Sequence, residues 1–199
     1  MQETIGLRER KKTETRTAIG QAALRLALLR GIEHVTVEEV AKEANVSTRT
    51  FHNYFGSMSE ALTAAWHDEV VVYVDALRDR PSGEPILDSL EHVLSSVVAR
   101  LDEPLGSVAP PAAMVRSGVA ILWQRTELLG EAGALITDVV AQRTGRDPKT
   151  DIYPQLVTEA ALAALTTTVH LAPAATSAER VELLGRAFEL LRAGLPEER

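Results

Sequence analysis

A short polar stretch near residue 50 carries the side chains best suited to recognition chemistry. Phe51 and Phe55 are four residues apart, so in a helix both face the core from the same side. The residues around them then point outward. Arginine can pair with two acceptors on guanine, asparagine can pair with adenine, and threonine can contact a thymine methyl group or a phosphate. The outward-facing candidates for such contacts are Thr48, Arg49, Thr50, His52 and Asn53.

The segments before this stretch predict a helix-turn-helix. Thr36 and Glu39 have the spacing of a capping box. An apolar stripe follows at Val37, Val40, Ala41 and Ala44. Asn45 ends this helix because asparagine tolerates left-handed backbone, Val46 fills the turn, and Ser47 can cap the second helix. Two short helices joined by a tight turn, the second one polar and aromatic, are typical of DNA-binding proteins.

The order of these residues resembles the DNA-binding domain of the TetR family of bacterial regulators. The resemblance covers about residues 13–62 and is carried by Ala22, Ala23, Leu26, Gly31, Thr36, Val37, Val40, Ala41, Ala44, Val46, Ser47, Thr50, Phe51, Tyr54, Phe55, Ser57 and Leu62. It implies an all-α protein with an N-terminal three-helix helix-turn-helix domain (residues 1–56) and a C-terminal helical bundle for ligand binding and dimerisation (residues 57–199). It also implies a homodimeric repressor that releases palindromic operator DNA when a small hydrophobic or amphipathic effector binds.

The resemblance implies a role for each exposed position of the second helix. Bases would be read by Thr48, Arg49 and His52. Phosphates would be held by Ser47, Thr50 and Tyr54, and Asn53 completes the predicted DNA-binding set.

Three positions depart from the family pattern. Asn45 stands where glycine is usual, and Arg49 stands where a small residue is common, which predicts a guanine in the operator. Met58 replaces a frequent lysine, so one common phosphate contact is not expected from this side chain. The N-terminus of the following helix can still favour a phosphate.

The charges of the chain are unevenly distributed. Residues 7–30 hold seven basic and two acidic residues, whereas residues 56–199 hold 12 basic and 21 acidic residues, within a total net charge of −7. A basic head on an acidic body favours a DNA-binding regulator, and the alternative is a basic tail that only aids solubility.

Helical periodicity dominates the whole chain, and period-2 alternation is nearly absent. Outside the helix-turn-helix, helices are predicted at about residues 13–29, 59–80, 85–101, 112–124, 126–144, 148–170 and 177–194. Gly145 is placed to end one of them, Asp147 and Pro148 to cap and begin the next, and Ser177 to cap the last.

The C-terminal half carries candidates for an effector pocket. The segment from Arg143 to Pro148, the alanine-rich helix after it and the end at Arg192–Leu195 resemble a TetR subset with acyl-CoA-like ligands. The candidate pocket residues are Trp66, Tyr73, Met114, Arg116 and Trp123. The alternative is that the aromatic side chains are core residues and the arginines lie on the surface.

The last predicted helix carries an apolar seam. Val181, Leu184, Phe188 and Leu191 recur at spacings of 3, 4 and 3 residues, the period of a helix-bundle interface. Together with the alanine-rich helix before it, which permits close approach of backbones, this pattern predicts that the last two helices form the homodimer interface. The alternative is that both helices pack only within one chain.

No pattern in the sequence indicates an enzyme, a metal site or a cofactor. The chain has no cysteine, and His67, His92 and His170 lack the spacing of metal ligands. Nucleophile elbows and glycine-rich phosphate loops are absent. With no apolar leader or membrane-length apolar run, a cytoplasmic protein without a membrane partner is expected. A helix-turn-helix regulator without a small-molecule effector and a helical interaction protein with no role on DNA remain open alternatives.

Overall fold

The computed structural model describes residues 6–100, 126–172 and 175–197, and all regular elements in these ranges are helical. They are α1 (Leu7–Arg30), a 3-10 turn (Ile32–His34), α2 (Val37–Glu43), α3 (Thr48–Tyr54), α4 (Met58–Arg78), α5 (Ile86–Arg100), α6 (Thr126–Thr144), α7 (Ile152–Leu171) and α8 (Ser177–Arg192). The predicted all-α class is confirmed, and the helix predicted at 112–124 lies outside the described residues. None of the described helices is long and apolar enough to cross a membrane.

The chain divides into two compact units, Met1–Asp68 and Glu69–Arg199. The division falls inside α4, so this one continuous helix contributes residues to both units. The domain boundary predicted after residue 56 lies just before this shared helix.

The first unit is built around the inner face of α1. Ile19, Ala22, Ala23 and Leu26 are buried there, as the apolar pattern predicted. α1 also approaches α4 very closely, because a Cβ atom added to Gly20 would lie 3.2 Å from the Cβ of Ala65. The absence of a side chain at Gly20 therefore permits the crossing of the two helices.

The second unit is a helical bundle in which α5 packs against α6, α7 and α8, and α7 packs against α6 and α8. Leu90 and Val98 of α5 are buried in it, together with Leu184 and Phe188 of α8. Arg192 links the same two helices at their polar edge, with its Nη2 2.6 Å from Oδ1 of Asp88.

This packing corrects part of the predicted dimer seam. Leu184 and Phe188 are completely buried within a single chain, so their side chains cannot face a second protomer. The spacing identified the inward face of α8 correctly, but its partner is the chain's own bundle. Val181 and Leu191 are half-buried at the edges of the same face.

The start of α7 differs from the prediction. The helix begins at Ile152 rather than at Pro148, because Asp151 is the N-cap residue and its Oδ1 accepts a hydrogen bond from the Tyr153 amide at 2.8 Å. Asp147 instead stabilises the preceding turn by accepting from the Lys149 amide at 2.9 Å.

The cap of α8 also differs, by one residue. Thr176 rather than Ser177 is the N-cap, because its hydroxyl accepts from the Glu179 amide at 3.3 Å. The Glu179 carboxylate in turn accepts from the Thr176 amide at 2.7 Å, which completes a capping box. The prediction that Gly145 ends α6 is consistent with the structure, since Gly145 directly follows the helix and has a positive φ of 65°.

Candidate nucleic-acid interface

The first helix of the predicted helix-turn-helix is fixed at its start by a capping box. The Thr36 hydroxyl accepts from the Glu39 amide at 3.3 Å, and the Glu39 carboxylate accepts from the Thr36 amide at 3.0 Å. The second of these bonds is the main reason that the pKa of Glu39 lies below its ordinary value. Arg30 of α1 also bonds this carboxylate, at 2.8 Å. The cap thus joins α2 to α1.

The turn between α2 and α3 depends on one left-handed residue. Asn45 has a φ of 55°, a conformation in which asparagine costs less than most side chains. The chain then reverses, and the Val46 amide donates to the carbonyl of Ala41 at 2.8 Å. The prediction that α2 stops at Asn45 because asparagine tolerates left-handed backbone is therefore confirmed.

The second helix is capped by Ser47. Its hydroxyl accepts from the Thr50 amide at 3.0 Å and lies 2.8 Å from the Thr50 hydroxyl. Both hydroxyl groups are thus held at the N-terminal end of α3, where backbone N–H groups are available to an anion.

The inner face of α3 is aromatic. Phe51 and Phe55 are buried, and their ring centroids are 5.9 Å apart. The Arg16 guanidinium of α1 lies over the Phe55 ring, 5.0 Å from its centroid. These contacts fix the rotation of α3 about its own axis and therefore determine which side chains point outward.

The outer face of α3 brings together the side chains predicted to contact DNA. Ser47, Thr48, Arg49, His52 and Asn53 are exposed, and Thr50 and Tyr54 are half-buried. Thr48 and His52 form one row of side chains four residues apart, and Arg49 and Asn53 form the adjacent row. An exposed helical surface of hydrogen-bonding side chains matches the width and chemistry of the DNA major groove.

Two basic side chains of α1 hold α2, the first helix of the pair, against α1. Arg25 forms an ion pair with Glu43 at the end of α2, and Arg30 forms the pair with Glu39 at its start. Their partners are 18 and nine residues away in the chain, so local spacing gave no signal for these contacts.

The basic N-terminal residues lie on α1 itself. The helix begins at Leu7, six residues before its predicted start, so Arg8, Arg10, Lys11 and Lys12 are helical and exposed. Arg10 pairs with Glu14 at 3.2 Å on the helix surface. The positive charge is therefore held on an ordered helix rather than on an unstructured tail.

The candidate pocket residues are only partly described. Trp66 and Tyr73 are half-buried on α4, in the first and second units respectively. The Tyr73 hydroxyl lies 3.4 Å from Nη1 of Arg100 and accepts a hydrogen bond from it. Met114, Arg116 and Trp123 lie outside the described residues, so the structure does not assemble this set.

Comparison with known proteins gives two family matches. Residues 19–65 match the model for bacterial regulatory proteins of the TetR family, and residues 120–196 match the model for the MftR C-terminal domain, one of the TetR C-terminal domain families. The HTH-type transcriptional regulator TcmR of Streptomyces glaucescens is 29% identical over 160 residues, which cover 76% of this chain and 70% of TcmR.

Solved structures share the fold at low sequence identity. A TetR-family transcriptional regulator from Syntrophomonas wolfei has a TM-score of 0.68 at 14% identity, over 94% of this chain and 100% of that one. FadR from Bacillus subtilis, solved in complex with stearoyl-CoA, has a TM-score of 0.62 at 17% identity, over 90% of this chain and 98% of FadR. With the capped helix-turn-helix and both family matches, these likenesses lead to one conclusion: the chain belongs to the TetR family of DNA-binding, helix-turn-helix transcriptional regulators.

Proposed function

We propose that this regulator is a ligand-responsive repressor that binds a palindromic operator as a homodimer and releases it when an amphipathic effector of the acyl-CoA type binds the second unit. The outer face of α3 carries the DNA-binding part of the proposal, because the helix presents four exposed polar side chains next to the exposed cap residue Ser47 and its rotation is fixed.

Within that face, Arg49 is proposed to read a base. Arg49 is the arginine of α3, and its long side chain ends in a planar guanidinium. The parallel N–H donors of this group can bond both acceptors on the edge of a guanine. Thr48, His52 and Asn53 complete the base-reading surface. Phosphates are assigned to Ser47 and Thr50 at the N-terminal end of α3 and to Tyr54 at its C-terminal end.

The homodimer is proposed to form through the exposed side of α7 rather than through the buried face of α8. Ile152, Leu156 and Leu171 are 76%, 59% and 72% exposed although their side chains are large and apolar. Ala163 is also exposed, and at 3.6 residues per turn Ile152, Leu156 and Ala163 lie within about 40° of one another around the helix axis, with Leu171 about 60° to one side. An apolar stripe of this length is costly in water, and a second copy of the same stripe would cover it.

Effector release is proposed to act through α4, the helix that both units share. A ligand shifts an equilibrium only if it binds one state more tightly than the other. If the effector binds the state that cannot bind DNA more tightly by about 2–3 kcal/mol, operator affinity falls by about 30- to 150-fold. The fold likeness to FadR bound to stearoyl-CoA supports an acyl-CoA as the class of effector.

The test begins with selection of an operator from genomic fragments and measurement of its affinity by fluorescence anisotropy. We expect binding to a palindromic site, and release by stearoyl-CoA but not by free coenzyme A. Calorimetry on the same protein establishes whether stearoyl-CoA binds. Stearoyl-CoA that binds and leaves operator affinity unchanged would rule out effector-driven release, and equal affinity for the selected site and random DNA would rule out the operator function.

A further inference from the structure

The C-terminal end of α4 is held by a single arginine from a distant part of the chain. Arg143 lies in the last turn of α6. Its Nη1 donates to the carbonyls of Leu77 and Arg80 at 2.9 and 3.1 Å. Its Nη2 donates to the carbonyl of Pro81 at 2.9 Å and to the Ser89 hydroxyl at 3.0 Å. One guanidinium therefore spans the end of α4, the following turn and the first turn of α5.

This contact satisfies a general need of helix ends. The last four carbonyls of an α-helix lack intrahelical partners and carry partial negative charge. α4 ends at Arg78, so the Leu77 carbonyl belongs to this group. A cation with several N–H donors in one plane both bonds such carbonyls and suits the helix dipole. An ammonium group has the charge but lacks the planar fork that reaches separate acceptors.

The same residue organises the turn after α4. Ser89, which is fully buried, donates to Oε2 of Glu84 at 2.5 Å. Glu84 in turn accepts from Nε of Arg80 at 2.8 Å, and these bonds hold the pKa of Glu84 at about 2. Arg143 thus meets a connected set of polar groups rather than one isolated carbonyl.

We propose that Arg143 is a positioning residue for operator binding, because it fixes the far end of the helix whose first half belongs to the DNA-binding unit. α4 has 21 residues and is about 30 Å long at 1.5 Å per residue. A rotation of about 5° at one end of a rod of that length moves the other end by about 3 Å. A dimer must place two recognition helices one turn of DNA apart, so this freedom lowers the share of molecules that fit both half-sites.

The test compares Arg143→Ala with Arg146→Ala. Arg146 is exposed, pairs with Asp151 at 2.6 Å and lies over the Tyr153 ring. Arg146→Ala therefore removes the same positive charge from a position three residues away. We expect Arg143→Ala to weaken binding to the selected operator by about 2- to 30-fold, with binding to random DNA unchanged. Arg146→Ala should leave both affinities at the wild-type level. Amide hydrogen exchange at residues 74–80 should be faster in Arg143→Ala alone.

Two results would overturn the inference. One is a folded Arg143→Ala protein whose α4 end exchanges faster while its operator affinity stays at the wild-type level. The other is an equal loss on operator and random DNA, which a general charge or folding effect would produce. If Arg143→Ala does not fold, Arg143→Lys replaces it, and a wild-type ratio of operator to random-DNA affinity in that variant overturns the inference as well. The inference rests on the proposed binding of a dimer to the operator. No effector is present in this experiment, so its result does not depend on whether an effector releases the operator.

Discussion

At the scale of single residues, Arg49 is the clearest test of how the protein reads sequence. Its side chain is exposed on α3, and a bidentate contact to guanine is worth about 1–3 kcal/mol of discrimination. We expect Arg49→Ala to lose about that much operator affinity and to relax the preference at one base pair in each half-site. Arg49→Lys should keep the charge but lose the discrimination. Binding of each variant to operators substituted at single positions measures this, and equal losses on operator and random DNA would identify a phosphate contact instead.

A second residue-scale prediction concerns acid stability. The hydrogen bonds from Arg80 and then Ser89 lower the pKa of Glu84 from its ordinary 4.5 to about 2. Since the folded state favours the ionised carboxylate, Glu84 stabilises the fold above pH 4.5, and this contribution is lost as the pH falls toward 2. We expect Glu84→Gln to show a smaller loss of stability than the wild type between these two values.

The acid prediction is measured by urea unfolding at several pH values. Glu182→Gln is the matched control, because it removes an exposed carboxyl group of α8 outside this hydrogen-bonded set. A wild-type pH dependence in Glu84→Gln would mean that the Arg80 and Ser89 bonds do not favour the carboxylate in solution.

At the scale of helices, the crossing of α1 and α4 depends on Gly20. A Cβ atom there would lie 3.2 Å from the Cβ of Ala65 and 3.5 Å from the carbonyl of Ala61, so a branched side chain has no room. We expect Gly20→Val to destabilise the first unit by about 1–3 kcal/mol through overpacking. Gly130→Val is the control, since an added Cβ at this helical glycine meets no neighbour within 4 Å. Thermal unfolding followed by circular dichroism compares them, and equal small shifts would show that the crossing can relax.

The same scale shows what the sequence can predict and why the rest is missed. The capping box at Thr36 and Glu39 and the turn at Asn45 were predicted because both partners lie within a few residues. Where two adjacent residues could each serve as a cap, as at Thr176 and Ser177, local pattern could not decide.

Other differences depend on contacts between residues far apart in the chain. The role of Arg143 depends on carbonyls more than 60 residues away, and carbonyl groups have no sequence signature. The sequence predicts that Phe188 lies on an apolar face of the last helix. Only the packing of α8 on α5 shows which surface covers that face.

At the scale of the whole molecule, the uneven charge should govern encounter with DNA. Arg10, Lys11 and Lys12 are exposed on α1, and each cation placed near a phosphate releases counterions on binding. We expect their joint replacement by glutamine to weaken binding to every DNA sequence and to flatten the dependence of affinity on salt. The control replaces three exposed cations of the second unit, Arg146, Lys149 and Arg186, in the same way. An unchanged salt slope in the α1 variant would place the segment away from the phosphates.

The dimer is the final whole-molecule prediction, and the burial of α8 determines how it must be tested. Phe188→Asp would place a charge in the core of one chain, so we expect it to unfold the second unit rather than to separate two protomers. Leu156→Glu is the sharper variant, because Leu156 is 59% exposed on the apolar stripe of α7. Val72→Glu is its control, since Val72 is a similarly exposed apolar residue (56%) on a different helix, α4.

We expect Leu156→Glu to remain helical, to sediment as a monomer at concentrations where the wild type is a dimer, and to bind a single half-site but not the palindrome tightly. Loss of the second recognition helix explains the last effect, because both half-sites must be bound together for full affinity. Val72→Glu should sediment and bind as the wild type does. Analytical ultracentrifugation and operator titration measure both properties. A Leu156→Glu protein that remains dimeric with full operator affinity would place the interface on another surface, and the α7 stripe would then need a different partner.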